Sequence, residues 1–279
     1  MLFSSPLLTV SLTVLTATLL PTVSAHVRLF AISVNGMDQG VGCNELNGSK
    51  DYIRCPGNDN PILDMKSEHL ACNTKGAEEV KEWIKVTGGD KITFHWGHNK
   101  RSQDKPDDMI IDKSHLGPLM VYVSPDPAGA VKRGKTWSKI HQTAGEGDKW
   151  AMISLIESKG LHWIELPQLP KGKYLLRPEL LALHSAFRDA KHEPEPQFYM
   201  SCVQIEVEKD SKKGLKLKDN AEKVAFPGAY PTEKAGWAAA GLEFSVYQKT
   251  VKDYKIPGPA LAVDNLPAGF GHAPKRRRV

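Results

Sequence analysis

Tyr174-Leu175-Leu176-Arg177-Pro178-Glu179-Leu180-Leu181-Ala182-Leu183-His184 is an apolar run of strand length that ends on a histidine. Similar runs, rich in β-branched or aromatic residues, recur at Val27–Val34, Lys91–Trp96, Leu119–Ser124, Leu161–Leu166 and Phe198–Val207, with clusters of Gly, Pro, Asn and Asp between them. Long helical periodicity is scarce. Short strands punctuated by turn residues predict an all-β fold, an immunoglobulin-like antiparallel β-sandwich with long loops. Brief helix is expected after Gly76, where Ala77, Val80 and Ile84 fall at helical spacing, and near the turn after His184. Pro178 cannot donate to a strand ladder, so a bulge or a local rearrangement is expected around Arg177 to Glu179. The Lys-rich stretch from Glu208 to Lys223 reads as a solvated loop.

The chain has 279 residues, 41% hydrophobic and 25% charged, which excludes global disorder and a mini-protein. Its net charge is +5, and four of those charges lie together in Lys275-Arg276-Arg277-Arg278, leaving +1 for the rest. A body so close to neutral argues against a nucleic-acid partner. Residues 260–279 read as a Pro/Gly-rich, basic, disordered tail, too short and polar for an independent domain. Its basic end looks like a nuclear-import patch, a pattern with many false positives, or a patch for an acidic surface.

Residues 1–25 contain no Lys, Arg, Asp or Glu, carry apolar runs, and end in Val23-Ser24-Ala25. That pattern predicts a secretory signal peptide cleaved after Ala25, an extracellular location, and a mature domain over 26–259 that opens on His26. In an oxidising compartment the four cysteines are expected to form two disulfides rather than a zinc site. Of the three connectivities, Cys43–Cys55 with Cys72–Cys202 is favoured, a short clip and a long tie. Asn47-Gly48-Ser49 is a glycosylation sequon suited to a surface loop.

An N-terminal histidine offers two nitrogens, its α-amine and its ring Nδ1, to one metal ion. The amine's ordinary pKa of about 8 makes its proton easy to displace. A second imidazole completes an all-nitrogen set in one plane, a geometry that favours Cu(II). His115 sits in Ser114-His115-Leu116-Gly117-Pro118, immediately before an apolar strand, where a rigid junction can hold a ligand. Gln197 and Tyr199 are two apart in a predicted strand and project from one face. The phenol suits an axial position and the amide a hydrogen bond beside it. His184 emerges where its strand meets a loop, a place for a hydrogen-bond donor to oxygen. His95 and His98, three apart, point to opposite faces and are expected at the surface rather than in a second metal site. Asp107-Asp108 diverge on an extended chain and do not suit glycoside hydrolysis.

Several motifs in order resemble the fungal family 9 lytic polysaccharide monooxygenases. They are His26 behind its leader, Ser-His-Leu-Gly-Pro at 114–118, Tyr-Leu-Leu-Arg-x-Glu-x-x-Ala-Leu-His-Ser-Ala ending at Ala186, and Gln197-Phe198-Tyr199. Val34-Asn35-Gly36-Met37-Asp38-Gln39-Gly40, Phe226-Pro227-Gly228-Ala229-Tyr230 and Tyr254-Lys255-Ile256-Pro257-Gly258-Pro259 extend the likeness over nearly all of the mature chain. The resemblance implies that His26 and His115 form a histidine brace for one copper ion, with Tyr199 axial. His184 and Gln197 would then orient an oxygen species, and Cys72–Cys202 would be the usual long-range disulfide. It also implies that Tyr254 lies on a flat face that stacks on sugar rings; a reading from the residues alone has it packing its own Pro-rich loop. Pro178, where many members have histidine, and Met200-Ser201, in place of Pro-Gln, depart from the pattern without removing a ligand.

By that resemblance the protein is expected to be an extracellular monomer that cleaves cellulose or another β-1,4-glucan oxidatively at C1 and/or C4. Dioxygen or hydrogen peroxide and an external electron donor would be its co-reactants. Two alternatives stand beside it: a secreted copper-binding protein of the same fold without cleavage, and a carbohydrate-binding module without chemistry. The first has no need of His184 and Gln197, and the second does not account for His26.

Overall fold

The computed structural model describes residues 26–43, 52–98 and 109–272. The expected leader, the Asn47 sequon, Asp107-Asp108 and the Lys275–Arg278 run lie outside the described residues. In chain order the strands are β1 (Arg28–Val34), β2 (Met37–Val41), β3 (Ile53–Arg54), β4 (Ile84–Val86), β5 (Lys91–Gly97), β6 (Leu119–Ser124) and β7 (Ser138–Thr143). There follow β8 (Gly145–Glu146), β9 (Lys149–Trp150), β10 (Leu161–Glu165), β11 (Gly172–Ala182), β12 (Gln197–Met200), β13 (Cys202–Val207) and β14 (Ala268–Phe270). One sheet has the order β14-β10-β5-β1-β2, the other β3-β13-β11-β6-β7, with β12 and β13 taking successive stretches of β11. The protein is the β-sandwich that the strand pattern predicts.

The two longest apolar runs read as continuous rather than alternating because both of their faces are covered. On β6, Leu119, Val121 and Val123 enter the core between the sheets, while Met120 and Tyr122 join a second core on the outer face. β11 divides likewise, with Leu176 and Leu180 inside and Leu175 and Leu181 outside. The outer core is roofed by the long chain that contributes Phe226, Tyr230, Trp237, Phe244 and Val251. Strands buried on both faces lose the period-two signature that a half-exposed strand keeps.

Arg177 and Glu179 point into that outer core and are fully buried. Their side chains pair with each other. Arg177 also donates to the carbonyls of Leu70 and Ala71, and Glu179 accepts from the Tyr230 hydroxyl at 2.6 Å. A buried ion pair persists only when hydrogen bonds satisfy its remaining valences in this way.

Four expectations are corrected. No helix follows Gly76, because the Gln204 side chain takes the Val80 N–H at 2.9 Å and the Val80 and Glu82 carbonyls at 3.0 and 2.9 Å. The backbone groups that a helix would pair are thus spent on a strand, and Ile84 begins β4. The residues after His184 form a turn rather than a helix, and a seven-residue helix appears instead at Ala151–Glu157, too short to show in periodicity. The β11–β6 register runs unshifted through Pro178, and the irregularity lies across from it, where Ser201 separates β12 from β13. Finally, the chain beyond Pro259 is folded as far as His272: Ala262, Val263 and Leu266 are buried and β14 pairs with β10.

Both disulfides join the expected partners, Cys43 with Cys55 and Cys72 with Cys202, at Cα separations of 5.3 and 5.1 Å. The second spans 130 residues, which by loop entropy is worth up to about 5 kcal/mol.

Candidate metal centre

His26 stands two residues before β1. β1 pairs with β5 so that Arg28 faces Gly97, and this carries His98 back to the head of β1. There His98 Nδ1 donates to the His26 carbonyl at 2.5 Å, with Asp59 Oδ2 3.7 Å from the same nitrogen. His98 is 6% exposed and His95 2%, the latter 2.9 Å from the Ser33 hydroxyl, so the surface placement expected of both is corrected. His98 is the residue that fixes the backbone of His26. Sequence spacing showed only that the two rings diverge; the partner that makes one of them useful comes from strand pairing.

His115 is held by a stitched loop. The His115 N–H donates to the Asp112 carbonyl at 3.0 Å, and Asp112 Oδ1 accepts from the Ser114 N–H at 2.8 Å. Leu183 N–H donates to the Leu116 carbonyl at 2.8 Å, and Leu181 N–H to the Pro118 carbonyl at 3.2 Å, so the loop lies flat on the end of β11. Gly117 permits that approach, since a Cβ there would sit 1.8 Å from the Leu181 carbonyl oxygen. The residue that leaves β11 at this point is His184, and its ring meets His115 with centroids 4.0 Å apart.

Tyr199 is nearly fully buried on β12, opposite Leu180. Its ring lies 6.0 Å from that of His26 and 6.4 Å from that of His115, so both imidazoles neighbour one phenol. The Tyr199 hydroxyl donates to Gln197 Oε1 at 2.8 Å, as same-face neighbours two apart allow. The structure therefore brings His26, His115, His184, Gln197 and Tyr199 into one cluster.

Burial, then the neighbouring His184, lowers the His115 pKa to about 4 against the pull of Asp112. His184 is shifted the same way, chiefly by burial. Neutral imidazoles are the form that ligates a metal. His184 Nδ1 is buried without a hydrogen-bond partner, a polar atom still available to something placed at the site. Burial also raises the Tyr199 pKa, so the phenol stays protonated. A neutral His115 ring, with the His26 ring beside the same protonated phenol, fits an imidazole-preferring transition ion such as copper.

Tyr254 is half-buried, its ring against Trp150 and Phe244 and its hydroxyl donating to the Gly241 carbonyl at 2.9 Å. Its polar atom is thus used internally. Another aromatic, absent from the residues singled out in the sequence, is far more open: Tyr247 is 64% exposed and packs edge-on against Phe187, three residues beyond His184. Nothing in the local pattern distinguishes it from a core tyrosine, because its exposure is set by the roof chain.

The family model described as Auxiliary Activity family 9 (formerly GH61) matches residues 26–254. AA9 family lytic polysaccharide monooxygenase A of Aspergillus terreus is 41% identical over 239 residues, 86% of this chain and 60% of that protein. Monooxygenase B of Emericella nidulans is 40% identical over the same shares. The chain thus spans about three-fifths of the length of these relatives. Among solved structures, CvAA9A aligns with a TM-score of 0.68 at 37% identity over 85% of this chain and 97% of its own. HiLPMO9B aligns at 0.60 and 26% identity over 85% and 99%.

Proposed function

The chain belongs to Auxiliary Activity family 9, and from that premise we propose that it is a secreted, copper-dependent lytic polysaccharide monooxygenase acting on cellulose or a related β-1,4-glucan. The observation that carries this reading is that the rings of His26 and His115 both lie within 6.4 Å of the Tyr199 ring, with His184 and Gln197 beside them. That the family match starts at His26, the residue a cleavage after Ala25 would expose, supports the same view.

In this proposal the His26 amine and ring and the His115 ring would hold one copper ion, with the Tyr199 phenol beside them. Copper bound there would supply one-electron chemistry toward dioxygen or hydrogen peroxide, with electrons from an external donor, for hydroxylation at C1 or C4 of a glycosidic linkage. His98 holds the His26 backbone by its carbonyl, and the Asp112 turn holds His115, so both ligands are set before metal arrives. His184, with a buried nitrogen unclaimed by the protein, and Gln197, oriented by the Tyr199 hydroxyl, offer hydrogen bonds to the oxygen reactant. Tyr247 presents an open ring on which a sugar can stack. No nucleophilic side chain is needed.

Processed, copper-loaded protein incubated with cellulose and ascorbate should release oxidised oligosaccharides detectable by mass spectrometry. Their absence on cellulose, xyloglucan and xylan alike would refute cleavage, and failure to bind copper would remove the centre itself.

A further inference from the structure

Away from this centre, the edge of β7 meets β10 and β14 of the opposite sheet, and a cavity of about 380 Å³ opens between them. His141 and His162 line it, with ring centroids 5.3 Å apart. His162 is 1% exposed, yet its Nε2 has no hydrogen-bond partner, and neither does the buried Nε2 of His141. Phe94 stacks on His162 at 5.7 Å and Phe270 packs tilted against it at 5.8 Å, which accounts for a flat ring at this position but not for its bare nitrogen. A packing role would be served better by phenylalanine, since a buried polar atom without a partner forfeits its solvation.

We propose that His141 and His162 form a second metal site, in which their two Nε2 atoms hold one divalent transition ion of the zinc type. Two imidazoles bound to one zinc through nitrogens at about 2.0–2.1 Å have ring centroids on the order of 5–6 Å apart. Both rings are kept neutral by burial, His141 with a pKa lowered to about 4. The cavity mouth carries Glu146 and Glu157, against which stands Lys149, paired to Glu157 at 2.9 Å. One negative charge in excess favours a cation over an anion. Among the described residues no third His, Cys, Asp or Glu completes a closed cage. The site is therefore two-histidine and open, its other positions filled by water from the cavity.

The test is calorimetric titration of copper-loaded protein with zinc at neutral pH, comparing wild type with His141→Gln and His162→Phe. The wild type should take up one further equivalent, and each variant should bind it at least tenfold more weakly while retaining its metal-free melting temperature. X-ray absorption at the zinc edge should show two imidazole scatterers in the wild type. Because the readout is the difference between wild type and variants, it does not depend on whether the first centre binds copper. His141 lies at the partly open end of the pair, so His141→Gln keeps the test available if His162→Phe does not fold. Zinc uptake unchanged in His141→Gln, or no further equivalent in the wild type, would overturn the proposal.

Discussion

The rings of His115 and His184 lie 4.0 Å apart although 69 positions separate them, and the contact is fixed by backbone rather than by the rings. The loop before β6 and the chain leaving β11 exchange hydrogen bonds at Leu116 and Leu183 and at Pro118 and Leu181, so one histidine cannot move without the other. Gly117 is the residue that allows this.

Gly117→Ala should therefore lift the loop from β11, since its new methyl would collide with the Leu181 carbonyl. We expect a loss of about 1–3 kcal/mol in stability, a drop in melting temperature, and weaker copper binding, read by calorimetry. Unchanged affinity would mean that His115 is positioned by something other than this loop.

Adding one residue ahead of His26 converts its amine to an amide. Copper affinity should fall by about 10²-fold or more, the scale on which a tethered second donor is worth having. Titration of the extended and the processed protein side by side decides this.

His98→Ala removes the donor to the His26 carbonyl. A stability loss of about 1–3 kcal/mol is expected from the unpaired carbonyl, with a change in the copper electron paramagnetic resonance spectrum that a purely structural defect elsewhere would not produce. Asp59→Asn, one step further from His26, should give a smaller effect in the same direction.

The pH dependence of metal-free stability follows from His115 and His141, both held near 4 in the folded protein against an ordinary imidazole value of 6.5. Between those values the unfolded chain binds more protons than the folded one, so stability rises with pH and is lost as pH falls from about 6.5 toward 4. Melting temperatures across that window should decline, and the decline should be shallower in His141→Gln. A flat profile in the wild type would contradict the burial of these rings.

The strand runs were legible because apolar β-branched segments between turn residues have few other ways to fold. All six, from Val27–Val34 to Phe198–Val207, became strands. What was not legible depended on partners distant in sequence: Gln204 claiming the backbone at Val80, Ser201 interrupting the sheet beside Pro178, and β14 returning to β10. At the centre, the residue types of His26, His115 and Tyr199 could be read from position and motif. The supports His98 and Asp59 could not, since only the β1–β5 pairing brings His98 to His26 and Asp59 meets His98 from the separate loop after β3.

His26 leads into β1 of one sheet, and Tyr199 belongs to β12 of the other, at a place where those two strands touch. The cluster is accordingly a seam and not a pocket within either sheet. No fragment of the chain shorter than the span from His26 to Tyr199 contains it, and it comes into being only when the two halves of the sandwich have docked. A metal ion captured there acts as a rivet: it is withheld from partly folded chains and, once bound, must be released before the sheets can part, adding mass-action stability to the native state alone.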